Sequence, residues 1–145
     1  MIGTESKLWD SLKRVAEKDC TRIETNIAAG VSDVDYVRPN FHGWIELKTA
    51  HQPRPGRPYS LHCPFTLAQC TWLNRHHKPF QGLRSWVLLG IQGTRTWAKF
   101  ILIPAPLTTH ILQSRKAPAH EWLLKRKGVH ELQDIREVMT VIDGN

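Results

Sequence analysis

The sequence predicts an α/β domain built on a mixed central β-sheet with helices covering its faces. Two observations carry this expectation. Hydrophobic periodicities follow one another in the order helix, three strands, helix, two strands, then helices, the pattern of a layered sheet-and-helix domain. The strand segment at 85 to 91 is a continuous apolar run of the kind buried on both faces, and 96 to 104 supplies another strand beside it. At 145 residues the chain is long enough for one real core and too short for two. A single domain over 1–145 is expected, with its core at about 5 to 104 and a helical C-terminal extension at 105 to 145.

The elements follow in order. Leu8, Trp9, Leu12, Val15 and Ala16 recur at helical spacing, so the first helix should run from about 5 to 18, with Glu5 in its first turn. "TRIETNI" at 21 to 27 alternates enough to be a strand, broken by "AAG". "DVDYVR" at 33 to 38 is the next strand, and "PNFHG" turns the chain into "GWIELKTA" at 43 to 50. The two should form a hairpin, with Asp33, Asp35 and Val37 on one face and Val34 and Tyr36 on the other. "HQPRPGRP" follows, and its three prolines and one glycine forbid regular structure, leaving an exposed basic loop. Thr66 is placed to cap a helix with Leu67, Cys70 and Leu73 on one side. "SWVLLGI" and "TWAKFILIP" are strands joined by a turn at "QGT", and the tail should be helical near 107 to 113 and 131 to 139.

Composition narrows the class. A hydrophobic content of 41% with 23% charged residues is ordinary for a globular protein and excludes a disordered or collagen-like chain. No apolar run approaches the roughly 20 residues of a membrane span. The N-terminal stretch is mixed in charge and lacks an apolar signal core, so a cytoplasmic location is expected. Cys20, Cys63 and Cys70 are an odd set without a C-x-x-C, which argues for reduced thiols rather than a disulfide framework. Cys63, Cys70, His76 and His77 match no usual zinc spacing. The net charge is +7, and its distribution says more: from Leu47 to His120 there is no Asp or Glu, against ten Lys or Arg and six His. Such a segment attracts a polyanion and releases its counterions, and nucleic acid is the natural partner.

The chemistry-bearing residues lie at the hairpin. Residues i and i+2 of a strand share a face, so Glu46 and Lys48 stand side by side while Ile45 and Leu47 enter a core opposite. That arrangement fits a site, and it also fits a half-exposed strand with a solvent-facing ion pair; Glu5-Ser6-Lys7 supplies the same triplet by chance. Asp33, at the start of the neighbouring strand, brings a second carboxylate towards Glu46. Two carboxylates on adjacent strands suit Mg²⁺, a hard cation that accepts one or two carboxylates, waters and substrate phosphate. If the register slips by two residues, Asp35 takes the place of Asp33.

Asp33 followed by Glu46-Leu47-Lys48, after a helix bearing a glutamate and before a helix bearing a glutamine, resembles the PD-(D/E)xK nuclease signature. "FTLAQCTWLNRHH" leading into "GLRSWVLLGI" is similar to the Q-x-x-W helix and hydrophobic strand of small phage or archaeal Holliday junction resolvases and of VRR-NUC nucleases. The resemblance covers about 5 to 91 and implies a restriction endonuclease-like core. It implies that Asp33, Glu46, the Leu47 carbonyl and Glu5 hold Mg²⁺, for which Mn²⁺ would substitute. It further implies that Lys48 orients or helps deprotonate a water and stabilises charge on the phosphate, and that Gln69 fixes a water or phosphate oxygen. Ser32 stands where the motif has proline, a departure in backbone shape rather than chemistry. Glu5 also fits a plain first-turn acid on the helix dipole, and Gln69 an exposed helix residue.

The expected activity is therefore Mg²⁺-dependent DNA endonuclease activity on branched DNA such as four-way junctions. His51, Arg54 and Arg57, with Tyr59, follow directly on the catalytic strand and should meet the DNA backbone, joined by Arg75 and Lys78. Trp72 and Trp86 are expected in the core rather than as base-stacking platforms. Junction resolution implies a homodimer and no membrane partner, in the host cytoplasm if the chain is phage-encoded. A flap, end or duplex nuclease of the same fold, or a non-catalytic basic nucleic-acid-binding module, fits the same charge pattern.

Overall fold

The computed structural model describes residues 5–23, 30, 32–52, 65–114 and 120–144. The first helix, α1 (Glu5–Ala16), turns Leu8, Leu12 and Ala16 inward, as their three- and four-residue spacing requires. A tight turn leads to β1 (Cys20–Arg22), and β2 (Val34–Val37) and β3 (His42–His51) follow. After α2 (Leu67–Arg75) and a 3-10 turn at Pro79–Gln81 come β4 (Trp86–Gln92) and β5 (Trp97–Pro104). The chain ends with α3 (Ala105–Ser114), α4 (His120–Leu124), β6 (His130–Leu132) and α5 (Glu137–Gly144).

The six strands form one sheet in chain order, antiparallel throughout except where β3 and β4 run parallel. Parallel neighbours need a long crossover, and α2 rides on it. The sheet is mixed, as expected, and it buries two layers. Leu8 and Leu12 from α1 and Val138, Met139 and Ile142 from α5 pack on one face with Val34, Tyr36, Ile45 and Leu47. Leu73 of α2, Ala105 and Ile111 of α3 and Leu123 of α4 pack on the other with Val87, Leu89 and Ile101. All seven residues of β4 are buried, which its unbroken apolar run anticipates.

The β2–β3 hairpin pairs Val34 with Ile45 and Asp35 with Trp44, so Val34 and Tyr36 are buried while Asp33 and Asp35 lie on the other face. Gly43 is required here: a Cβ on it would stand 1.9 Å from the Arg84 carbonyl oxygen. Thr66 caps α2 in a reciprocal capping box with Gln69.

The C-terminal third departs from a purely helical extension. His130–Leu132 is a strand that adds to β5, pairing Phe100 with Leu132, and the helix expected at 131 to 139 begins only at Glu137. Three residues are too few to show alternation, and α5 supplies core side chains to a sheet face. The core therefore extends well past residue 104. The strand expected at 21 to 27 is present as Cys20–Arg22, and residues 24–29 lie outside the described residues. Among the described residues, no helix is long and apolar enough to cross a membrane.

Candidate active site

The site forms where β2 and β3 part company. β2 pairs with β3 only from Val34 onwards, so at Leu47 the edge of β3 facing β2 has no strand opposite it. Asp33 fills the gap: its Oδ2 accepts the Leu47 backbone N–H at 2.8 Å. In an extended strand the N–H and C=O of one residue project to the same edge. The Leu47 carbonyl is thereby turned towards the side occupied by Asp33.

Glu46 and Lys48 point to the opposite face from Leu47, the one covered by α2. The crossover helix buries that face: Glu46 is 2% exposed and Lys48 8%. Their charged ends stand 3.7 Å apart, an ion pair rather than a direct hydrogen bond. The solvent-facing ion pair that E-x-K allows is thus ruled out, because both groups are inside. Burying two charges costs several kcal/mol in desolvation, and only good geometry and further hydrogen bonds recover it. Here the recovery is incomplete, since among the described residues no hydrogen-bond partner meets the buried Oε2 of Glu46.

The electrostatics follow from this packing. Burial raises the Glu46 carboxyl to about 8, and the Asp33 carboxylate pushes the same way against Lys48. Burial also raises Asp33, opposed by the Leu47 N–H and by Lys48. Two carboxyls that each resist ionisation beside the other form a pair short of one positive charge. Hard oxygens, an orphaned buried carboxylate oxygen and this excess of negative charge fit a divalent cation of the Mg²⁺ type. Asp33 and Glu46, with the Leu47 carbonyl, are the groups that would hold it.

Not every expected residue joins them. Glu5, at the exposed start of α1, is near enough for its charge to raise Asp33. Among the described residues, however, no three of His, Cys, Asp and Glu gather as a metal cluster. Gln69 is turned back on its own helix, where Oε1 accepts the Thr66 N–H at 3.1 Å while Thr66 Oγ1 accepts the Gln69 N–H at 3.1 Å. Capping, rather than contact with the carboxylates, is what its side chain does here. Asp35 pairs across to Trp44, three residues before the Leu47 whose N–H Asp33 holds, so the register favours Asp33. Ser32 is 1% exposed, and its buried Oγ has no hydrogen-bond partner among the described residues.

Among the basic residues, His51 is exposed at the end of β3, Arg75 is exposed in the last turn of α2, and Lys78 is exposed beyond it. Arg54, Arg57 and Tyr59 lie outside the described residues. Trp86 is core, as expected. Trp72 is half-buried, stacked on His76 with ring centroids 4.3 Å apart and edge-on to Trp44 at 5.6 Å. This aromatic group lies beside the acidic pair, since Trp44 precedes Glu46 by two on the same face. Trp72 and His76, four apart across the C-terminal end of α2, carried the signal in the sequence.

Comparison with known proteins places the fold. No protein-family model and no curated protein matches the sequence. A solved structure does: the 1.6 Å structure of Hjc, a Holliday junction resolvase from the archaeal hyperthermophile Archaeoglobus fulgidus, matches with a TM-score of 0.53. The match covers 90% of this chain and 95% of that one at 15% identity. The mixed sheet, its flanking helices and the order of its elements therefore give this chain the restriction endonuclease-like fold of a Holliday junction resolvase.

Proposed function

We propose that this protein is a divalent-cation-dependent endonuclease that hydrolyses phosphodiester bonds in branched DNA. The observation that carries the reading is the buried Glu46–Lys48 pair beside Asp33, at the point where two strands of a nuclease-type sheet diverge. A sheet has no structural use for two charges in its interior that a pair of apolar residues would not serve as well or better. Catalysis supplies a use.

The roles follow from position. Asp33 and Glu46, with the Leu47 carbonyl, hold Mg²⁺, or Mn²⁺ in its place. When bound, the cation lowers the pKa of a water and offsets charge on the phosphate. Lys48, fixed by its neighbours at one edge of that site, orients the attacking water and donates to a phosphate oxygen whose charge grows in the transition state. Asp33 holds the strand fork as well, because its hydrogen bond to Leu47 sets the distance between the two carboxylates. Gln69 supports the site by capping α2, the helix that covers Glu46.

Branched DNA is the substrate class for two reasons. The acid-free segment from Leu47 to His120 suits phosphate contacts, which position a protein on DNA without reading its sequence. The fold is also that of a protein described as a Holliday junction resolvase. A junction resolvase cuts two opposed strands, so a symmetric dimer belongs to the same reading.

The test uses end-labelled four-way junction and linear duplex of identical sequence, each with Mg²⁺ or EDTA. Paired cuts on the junction alone, absent in EDTA, are expected. Equal cutting of both substrates would remove the preference for branched DNA and leave a general nuclease. Binding without cutting in Mg²⁺ or Mn²⁺ would leave a basic binding module.

A further inference from the structure

Where β4 begins and β5 ends, a pocket of about 510 Å³ opens towards α3 and the turn after α4. It shares no residue with the Asp33, Glu46 and Lys48 site. Five of its lining side chains, His77, Arg84, His110, Arg126 and Lys127, are cationic or can become so, and among the described residues no carboxylate lines it. Trp86, Pro104 and Pro106 give it an apolar wall. Like charges gathered around a concave surface focus a field that favours an anion.

Arg84 shows most clearly that a partner is missing. Its backbone is fixed at both ends, the N–H donating to the His42 carbonyl at 2.9 Å and the carbonyl accepting the Tyr36 hydroxyl at 2.6 Å. Its guanidinium lies over the Phe41 ring, 4.0 Å from the centroid, which fixes its plane. In that position Nε and Nη1 are buried, and no acceptor meets them among the described residues. A buried donor left unpaired is costly, so the Arg84 side chain, which lines the pocket, gains from an anion that its guanidinium turns to meet.

His77 adds a directed donor. Its Nδ1 accepts the Ser85 backbone N–H at 3.0 Å, so in the neutral ring the proton sits on Nε2. Burial and the Arg84 charge hold this imidazole below its ordinary range, which keeps it in that neutral form. A rigid guanidinium fork, an imidazole N–H and a flexible ammonium are all donors, the complement of a tetrahedral oxyanion.

The geometry points to a phosphate-binding pocket in which Arg84 and His77 take oxygens of a phosphate group, Lys127 closes over it from the rim, and the proline wall receives the attached nucleoside. A pocket of this size lies within the range that holds a small ligand. The phosphate comes either from a nucleic-acid backbone or from a free small molecule. The inference stands on this pocket alone and does not require the catalytic reading.

The experiment is an NMR titration of the whole protein with inorganic phosphate and, separately, with a 5′-phosphorylated dinucleotide, following the Arg84 Nε–H and His77 ring signals. Saturable shifts are expected, with affinity weakened at least about tenfold in Arg84→Gln and reduced in Lys127→Ala, an exposed position that the fold does not need. Tighter binding of the dinucleotide would assign the pocket to a nucleic-acid backbone, and equal binding to a free oxyanion. No saturable shift with either probe, or unchanged affinity in both variants, would overturn the proposal.

Discussion

Glu46 is 2% exposed, an uncomfortable position for a charge, and that discomfort is measurable without substrate. Its carboxyl titrates in the folded protein well above the ordinary range, up to about 8, because of burial and Asp33. In the unfolded chain it ionises near the ordinary glutamate value of 4.5. Between those values the folded state binds the extra proton, so stability without divalent cation is full at low pH and falls as pH rises through the folded value. Glu46→Gln should abolish that fall and leave the protein more stable at pH 8 by on the order of 1–3 kcal/mol. Denaturant unfolding at pH 5 and pH 8 in EDTA checks it, and identical pH dependence in the two proteins would contradict the burial argument. The pairing of Glu46 with Lys48 was legible in the sequence from strand spacing alone. Their burial was not, because it depends on α2, whose side chains arrive some twenty residues later to cover an otherwise polar face.

At the scale of elements, the site depends on how β2, β3 and α2 meet. Gly30 stands just ahead of Asp33 with φ of +81°, and a Cβ there would come within 2.4 Å of the Ala68 carbonyl in α2. Gly30→Ala should cost about 1–3 kcal/mol from backbone strain and displace Asp33, reducing cleavage more than stability alone explains. Thermal unfolding and single-turnover cleavage of that variant separate the two effects. Gln69 offers a cleaner division. Gln69→Glu keeps the capping box and should preserve both stability and activity, whereas Gln69→Ala should lose about 1 kcal/mol of stability. If Gln69→Glu folds normally but cleaves slowly, Gln69 acts on substrate and not only on its helix. The hairpin, the capped helix and the buried β4–β5 pair were readable because each carries its own local signal. β6 was not, since "HEL" shows no period and becomes a strand only through the exposed edge of β5.

For the whole molecule, the C-terminal third is a structural part of the fold. Val138, Met139 and Ile142 are buried against the sheet, and each such side chain is worth roughly 1.5–3 kcal/mol. Removing 130–145 should therefore unfold the protein, as circular dichroism would show; a truncated chain with a cooperative transition near the original midpoint would contradict this. The basic segment acts at the same scale, and DNA affinity should fall steeply with salt, linearly in log–log form. Sequence alone gave the direction of that charge but not the gathering of Arg84 and His77 around one pocket, which arises from tertiary contacts. The proposed catalytic role of the buried carboxylate pair rests on the charge of Glu46. Its most direct test is the single-turnover cleavage rate of Glu46→Gln on a four-way junction in Mg²⁺, with DNA affinity measured on the same protein. Gln keeps the shape and burial of Glu46 and removes only its charge, so the rate should fall at least about 100-fold with affinity little changed. Cleavage at the wild-type rate by a folded Glu46→Gln protein would contradict the account.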